Sequence, residues 1–341
     1  MELKDPIELH LQRVNSLDRR QFLRPMSSSE KLERAARIYQ LSARNILGKT
    51  LLPSLFCFLS LIFSGAYLLP GFFVIVGGDK LSDDLSRVGI SALITIFFAI
   101  PLFMFGIGQC FATAVSETND YITGDRLPGE PSVSTLQIPH PWKFTSLLSV
   151  AALESFLPVL AASLCFIFGA VIQNVVPDSV IPGLLGIFGF VIAMASFVVT
   201  PILFFRNCLI PVVAVLEKGD SKTIRQRGRM LAGMKGNISG VGESMFHGLV
   251  VFLFVGGGLY IMFKIAVDLI LGIGAVDNWL GSVIFGDLIK SAFQMLPLYA
   301  LIWVLTPFWA ALCTVNYYDR RIKLEGFDIR MLAKDVLEVR E

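Results

Sequence analysis

The most regular feature of this sequence is a series of six long stretches that contain no charged residue. A hydrocarbon core roughly 30 Å thick is crossed by a helix of about 20 apolar residues, and every stretch reaches that length. The strands of transmembrane β-barrels are shorter and alternate apolar with polar residues, unlike the run Leu93–Ile100. The pattern therefore predicts an all-α, polytopic membrane protein. The six stretches are 50–78, 88–116, 155–177, 179–205, 244–263 and 291–318.

Positive residues are distributed unequally among the segments that join these stretches. Of the 29 Lys and Arg residues, 25 lie in 1–49, 117–145, 206–246 or the tail from residue 319. Lys80, Arg87 and Lys290 lie in the loops on the other side, and Lys264 lies at the end of the fifth stretch. Because cytoplasmic segments carry the excess of positive charge, both termini are predicted to be cytoplasmic. The polar first segment is no signal peptide, so the first span is expected to direct insertion.

The predicted organisation has three parts. In the first, a helix is expected from about Ser29 to Asn45, because Ser29 and Glu33 approach a capping arrangement. Leu32, Ala36 and Tyr39 would share one face of that helix, which we expect to lie along the inner membrane interface. The parts are a cytoplasmic segment 1–49, a six-helix domain 50–318 with a basic cytoplasmic loop 206–243, and a cytoplasmic amphipathic tail 319–341.

Composition excludes several classes of protein. A hydrophobic content of 54% and a mean hydropathy of +0.68 are far from the averages of soluble chains. The net charge of +2 gives no overall field for binding nucleic acid. Three scattered histidines do not form a metal or haem motif, and the five cysteines all lie in or beside apolar segments. The sequence predicts no catalytic residues, metal, cofactor or disulfide framework.

Segments of this sequence that are 100 residues apart resemble each other. Three hairpins of similar size would produce such a repeat, and six spans would then form three hairpins. Coincidence between apolar helices built from few residue types is the alternative explanation. The matches are Pro101–Phe105 with Pro201–Phe205, Ala114–Glu117 with Ala214–Glu217 and, more loosely, Thr314–Val315 at the same offset.

The exit from the last span carries a family resemblance. The stretch Tyr317–Asp328 reads Tyr-Tyr-Asp, a basic pair, then Glu-Gly-Phe-Asp, and a second match runs from Pro211 to Glu217 and from Arg227 to Gly233. These residues resemble poorly characterised bacterial six-helix membrane proteins, which include the membrane domain of some glycerophosphodiester phosphodiesterases. The resemblance implies the architecture and a bacterial cytoplasmic membrane. The chain has no room for the soluble phosphodiesterase domain, so that activity is not expected.

Polar residues inside the apolar stretches are few, and burying them in hydrocarbon costs about 2.5–3.5 kcal/mol even on insertion scales. Glu154 is interfacial, a structural hydrogen-bonding group or a proton site, depending on where the third span begins. Lys264 and Asp268 are four residues apart and either pair on one helix face or reach the outer headgroups. These three residues are the candidate intramembrane polar groups.

The leading functional hypothesis is a non-catalytic integral membrane subunit or assembly factor that acts through helix packing and its cytoplasmic face. The alternative is a transporter or small-solute channel in which Glu154 is a polar site. The expected partners are anionic lipid headgroups on the cytoplasmic side, other membrane proteins and further copies of the chain. The candidate contact residues are Arg225, Arg227, Arg229, Tyr317, Tyr318, Asp319, Arg320, Arg321, Glu325, Phe327 and Asp328.

Overall fold

The computed structural model describes residues 26–68, 93–123, 141–176, 179–217, 219–233, 242–272 and 286–325. Within these residues the regular structure is entirely helical. A π-helical turn, Ser64–Leu68, extends the first helix, and another, Thr95–Ala99, leads into the second. The α-helices are α1 Ser28–Phe63, α2 Ile100–Thr123, α3 Pro141–Val175, α4 Ile181–Asn207, α5 Ile210–Leu216, α6 Ser221–Ala232, α7 Gly242–Leu271 and α8 Gly286–Glu325.

Six of these helices are long and apolar enough to cross a membrane, namely α1, α2, α3, α4, α7 and α8. Each overlaps one of the six uncharged stretches, so the prediction of an all-α, multi-pass membrane protein is confirmed. The helices extend beyond the uncharged stretches, because helix geometry continues wherever neighbouring helices pack on it. Helix α3, for example, begins at Pro141, which is 13 residues or roughly 20 Å along the helix axis before Glu154.

The N-terminal amphipathic helix differs from its prediction. Ser27, not Ser29, caps it, by accepting a hydrogen bond from the Glu30 amide at 3.4 Å. The helix then continues without a break through the first span to Phe63. Its fully buried positions begin at Lys31, and Leu32 and Tyr39 of the predicted face are partly buried against the same core, because this part of α1 packs against α8 and α2. The buried positions before Thr50 are Lys31, Ala35, Ile38, Ser42 and Ile46.

Consecutive spans pair along the chain, with α1 on α2 and α3 on α4, and α8 packs more extensively on α1 than on its neighbour α7. The approach of α1 to α2 is close at Gly106. A Cβ atom at that position would lie 2.7 Å from the Cys57 sulfur and 2.8 Å from the Pro53 carbonyl oxygen. Small residues allow such approaches between membrane helices, so Gly106 fixes this contact.

Two short helices follow α4. A turn at Cys208 and Leu209 separates α4 from α5, and α6 ends at Gly233, which adopts a left-handed conformation with φ of 80°. Glycine is favoured there because it has no Cβ to clash. Helix α6 packs on the start of α5 through Gly228, where a Cβ would lie 2.8 Å from the Ile210 Cα.

The main core lies at one end of the bundle, which we call the polar end. It comprises the first parts of α1, α3 and α7, the last parts of α2, α4 and α8, and both α5 and α6. Elsewhere the spans leave large apolar side chains uncovered, as at Leu269 (74% exposed), Met262 (71%) and Phe97 (68%). Surfaces of this kind suit lipid and not water.

Candidate functional site

Two deeply buried charges at the polar end are Lys31 and Asp319, whose side chains are 2% and 0% exposed. The Lys31 ammonium lies 2.7 Å from one Asp319 carboxylate oxygen, and Lys323 donates to the same oxygen at 2.9 Å. The other oxygen accepts a hydrogen bond from the Met26 amide at 2.9 Å. Asp319 therefore holds the start of α1 on the last turns of α8, and its buried charge is compensated by three donors.

A closed ring of five side chains joins α5, α6 and α8. The Tyr317 hydroxyl donates to Glu217 at 2.8 Å and accepts from Arg321 at 3.2 Å. Arg321 also donates to Glu325 at 3.1 Å. Arg227 completes the ring, because it donates to Glu217 at 3.2 Å and forms an ion pair with Glu325. Every member thus has two partners within the ring.

Neutral polar contacts attach α2 and α7 to the same part of α8. The Tyr318 hydroxyl donates to the side-chain oxygen of Asn119 in α2. The Ser244 hydroxyl of α7 donates to Asn316 at 2.6 Å, and all four of these side chains are buried. Satisfied polar networks of this kind specify one arrangement of the helices, because each displaced partner would leave a buried group without a hydrogen bond.

Glu154 contacts α6. Its carboxylate forms an ion pair with Arg229 and lies 3.6 Å from the Arg225 guanidinium. Arg229 also donates to the Asn207 side-chain oxygen at 3.3 Å, and Asn207 in turn donates to the Ser155 hydroxyl at 3.1 Å. Glu154, Arg225 and Arg229 are about one-third exposed, so the cluster lies at the edge of the bundle.

Beside this cluster is an apolar cavity of about 430 Å³ between α2, α3, the end of α4, the start of α5, α7 and α8. Ser155 and Asn207 form part of its wall, so the cavity and the arginine cluster share residues. Most of the remaining wall is aromatic or aliphatic, as at Phe103, Phe252 and Trp309.

The predicted contact residues of the last span are not exposed. Tyr317, Tyr318 and Asp319 are 1%, 5% and 0% exposed, so the expectation that they form a contact surface is corrected. Their side chains bind α1, α2 and α5 within the chain, and burial also removes them from an interfacial aromatic belt. Arg320 is partly buried beside Gly233, where a Cβ would lie 2.8 Å from a guanidinium nitrogen. Phe327 and Asp328 lie outside the described residues.

The remaining predicted residues are distributed over two places. Arg227, Arg321 and Glu325 belong to the ring described above, whereas Lys264 and Asp268 form an ion pair on the exposed face of α7. That pair makes no contact with the polar end. The sequence pattern therefore identified four of the five ring residues as contact residues, and Glu217 was not among them.

Lys31 and Asn207 were not predicted as members of these clusters, and Glu217 belonged to the repeat and to the family resemblance but not to the predicted contact residues. No local signal distinguishes Lys31 from the other basic residues before the first span. The repeat did hold a signal, because Glu117 and Glu217 occupy matched positions and both form ion pairs, with Lys49 and Arg227 respectively.

The chemistry of the polar end is pairwise neutralisation of charge. Within the described parts of the chain, no three His, Cys, Asp or Glu side chains come together in a group that could hold a metal ion. What the arrangement does is fix the relative positions of all six spans at one end. Comparison of the chain with protein-family models, curated proteins and solved structures finds no match.

Proposed function

We propose that this chain is a non-catalytic multi-pass subunit or assembly factor of a bacterial cytoplasmic membrane, with both termini and the polar end on the cytoplasmic side. The unequal distribution of Lys and Arg supports the orientation. The polar end supports the assembly role, because its ion pairs and hydrogen bonds hold the helix ends in one arrangement that a partner can recognise.

Association is supported mainly by open glycines on the outer helices, meaning glycines that no neighbouring atom of the described chain covers. A Cβ at Gly183 or Gly186 of α4, or at Gly258 of α7, would meet no atom of the described chain within 4 Å. Gly189 on α4 is covered by α3, since a Cβ atom at that position would lie 3.2 Å from the Cys165 Cβ. Because lipid gives no hydrophobic force between helices, close packing at small residues is a principal source of association in membranes. The open glycines suit a helix of a partner or of a second copy.

The orientation is tested by labelling with a membrane-impermeant thiol reagent in a variant whose five cysteines are replaced by alanine. We expect Asp83→Cys and Asp277→Cys to react in intact cells, and Gly236→Cys to react only after the membrane is opened. Labelling of Gly236→Cys from outside would contradict the orientation without bearing on association.

Association is tested by crosslinking in native membranes, followed by purification of the crosslinked species. Gly186→Leu and Gly258→Leu should reduce the recovered crosslinks, because the added side chain separates the helices. Gly48→Leu is the matched control, since Gly48 is equally open but lies on α1. A wild-type chain that is monomeric and free of crosslinks, or glycine variants that retain every crosslink, would contradict the proposal.

A further inference from the structure

We propose that the apolar cavity binds one acyl chain of an anionic phospholipid whose headgroup contacts Arg225 and Arg229. The inference uses the membrane placement proposed above and is independent of association. It assigns a specific lipid site to this chain, whereas attraction of basic segments to a charged membrane surface selects no particular position.

The cavity has the size and lining of a site for a hydrocarbon chain. Its volume of about 430 Å³ lies within the range of roughly 300–1,000 Å³ that is typical of small-molecule pockets. The wall comes from six helices, so the space lies between helices and is not a dent in the surface of one. Its apolar side chains include Phe103, Met104, Phe156, Phe204, Phe252 and Trp309.

Hydrocarbon is the occupant that the surroundings supply. A mostly apolar cavity holds little water, because water finds few hydrogen-bonding partners on its wall. An empty cavity would leave the wall without dispersion contacts on one side. The apolar molecules that are abundant beside a membrane helix are acyl chains. A chain that enters the cavity from the bilayer restores those contacts without exposing apolar surface.

The position of the arginine cluster is suitable for a phospholipid headgroup. Asn207 is the last residue of α4 and donates to Ser155, so the cavity wall at Ser155 is level with the end of a span. The end of a span is where headgroups lie. Arg229 donates to Asn207 at 3.3 Å, which places its guanidinium directly beside the cavity wall.

Charge selects an anionic headgroup. The cluster contains two guanidinium groups, of Arg225 and Arg229, and one carboxylate, of Glu154, so it keeps a net positive charge. A guanidinium binds phosphate oxygens through paired hydrogen bonds, and both arginines are partly exposed. Since the cavity wall and the bilayer interior are similarly apolar, the acyl chain alone provides little preference. Selectivity among lipids must therefore come from these two arginines.

The test uses Trp309 as a reporter, because its side chain lies in the cavity wall. The protein carries four tryptophans, and Trp142, Trp279 and Trp303 are replaced by phenylalanine. This variant is reconstituted in phosphatidylcholine vesicles that contain a small mole fraction of lipid with brominated acyl chains. Brominated phosphatidylglycerol should quench Trp309 fluorescence more strongly than the same fraction of brominated phosphatidylcholine.

Two sets of variants separate the chain site from the headgroup site. Ala152→Phe fills the cavity and should reduce quenching by both lipids, with Ala152→Leu as a smaller change if the first fails to fold. Arg225→Gln and Arg229→Gln should each lower the preference for phosphatidylglycerol roughly fivefold. Lys222→Gln is the matched control, because it removes the same charge from an exposed position of the same helix.

Equal quenching by the two brominated lipids would overturn the proposal, as would a preference that survives in the Arg225→Gln, Arg229→Gln double variant. Quenching that both cavity-filling variants leave unchanged would show that Trp309 senses only the surrounding bilayer, and that outcome also contradicts the site. Gly186→Leu should leave quenching unchanged. Failure of the association experiment is therefore distinguishable from failure of this one.

Discussion

Two ten-residue segments of the spans show how differently the two regions of the molecule are built. In α8 every residue from 310 to 319 is buried, and the segment includes Thr314, Asn316 and Asp319. In α4 the residues from 190 to 199 include a single buried side chain, that of Ser196. The first segment is central to the polar end, whereas the second faces outward along most of its length.

The difference shows where the specificity of this fold resides. An outward apolar segment is stable in lipid in many orientations, because the bilayer covers any apolar face equally well. A segment that buries Asn316 and Asp319 tolerates one arrangement, because each polar group requires its own partner. We therefore expect substitutions at the polar end to disturb the whole bundle and those on the outer faces to be nearly neutral.

The largest effect is expected for Asp319→Asn. The change removes the carboxylate that pairs with the buried Lys31 ammonium, and breaking a buried pair in this way costs about 3–5 kcal/mol. The quantity to measure is the free energy of unfolding in mixed detergent micelles. Asp268→Asn is the comparison on the outer face, since it removes a carboxylate from the exposed pair with Lys264 and should cost about 0–1 kcal/mol. Equal losses in the two variants would contradict the contrast between the regions.

Helix contacts offer a second comparison. Gly106→Ala would place a Cβ 2.8 Å from the Pro53 carbonyl oxygen, so α1 and α2 must separate, at a cost of about 1–3 kcal/mol. Gly186→Ala meets no atom within 4 Å and should be neutral or slightly stabilising, because alanine favours helix. Unfolding of both variants in the same micelles decides the point, and a destabilised Gly186→Ala monomer would show that α4 is less open than its glycines indicate.

The ring at the polar end should act as one unit. Glu217→Gln and Glu325→Gln each weaken the contacts of Arg227, and together they remove both of its carboxylate partners. The two changes should therefore be non-additive, with a coupling free energy of at least roughly 0.5 kcal/mol in a double-mutant cycle. A parallel cycle with Glu217→Gln and Asp268→Asn, whose sites belong to different regions, should give additive losses.

The outer region could be predicted from sequence to a greater extent than the polar end. Length and charge-free composition are local properties, and they sufficed to predict the six spans. The sequence did not predict that the helix at 29–45 is continuous with the first span. A polar stretch before a span is typical of an exposed segment, and only its packing shows that it is buried. In this chain the stretch is covered by α8, and Lys31 is buried there.

The ion pairs at the polar end could not be predicted from a single sequence, for a related reason. Lys31 and Asp319 lie at opposite ends of the chain, and no residue between them indicates which lysine meets which aspartate. The resemblance did mark Tyr317–Asp328 as a distinctive region. It could not show that Tyr317, Tyr318 and Asp319 face inward, because the same residue types are typical of an exposed membrane interface.

A small effect on stability is also expected for Glu154→Gln, which separates a structural carboxylate from a transport site. Glu154 is about one-third exposed and pairs with two arginines at the edge of the bundle, so loss of its charge should change the free energy of unfolding by about 0–1 kcal/mol. A transport role requires more of this carboxylate, since a proton or ion site depends on its charge. Proton uptake by vesicles that contain the purified protein should therefore be the same for wild type and Glu154→Gln, at the level of protein-free vesicles. Uptake that the wild type supports and the variant abolishes, with equal amounts of folded protein, would favour transport over assembly.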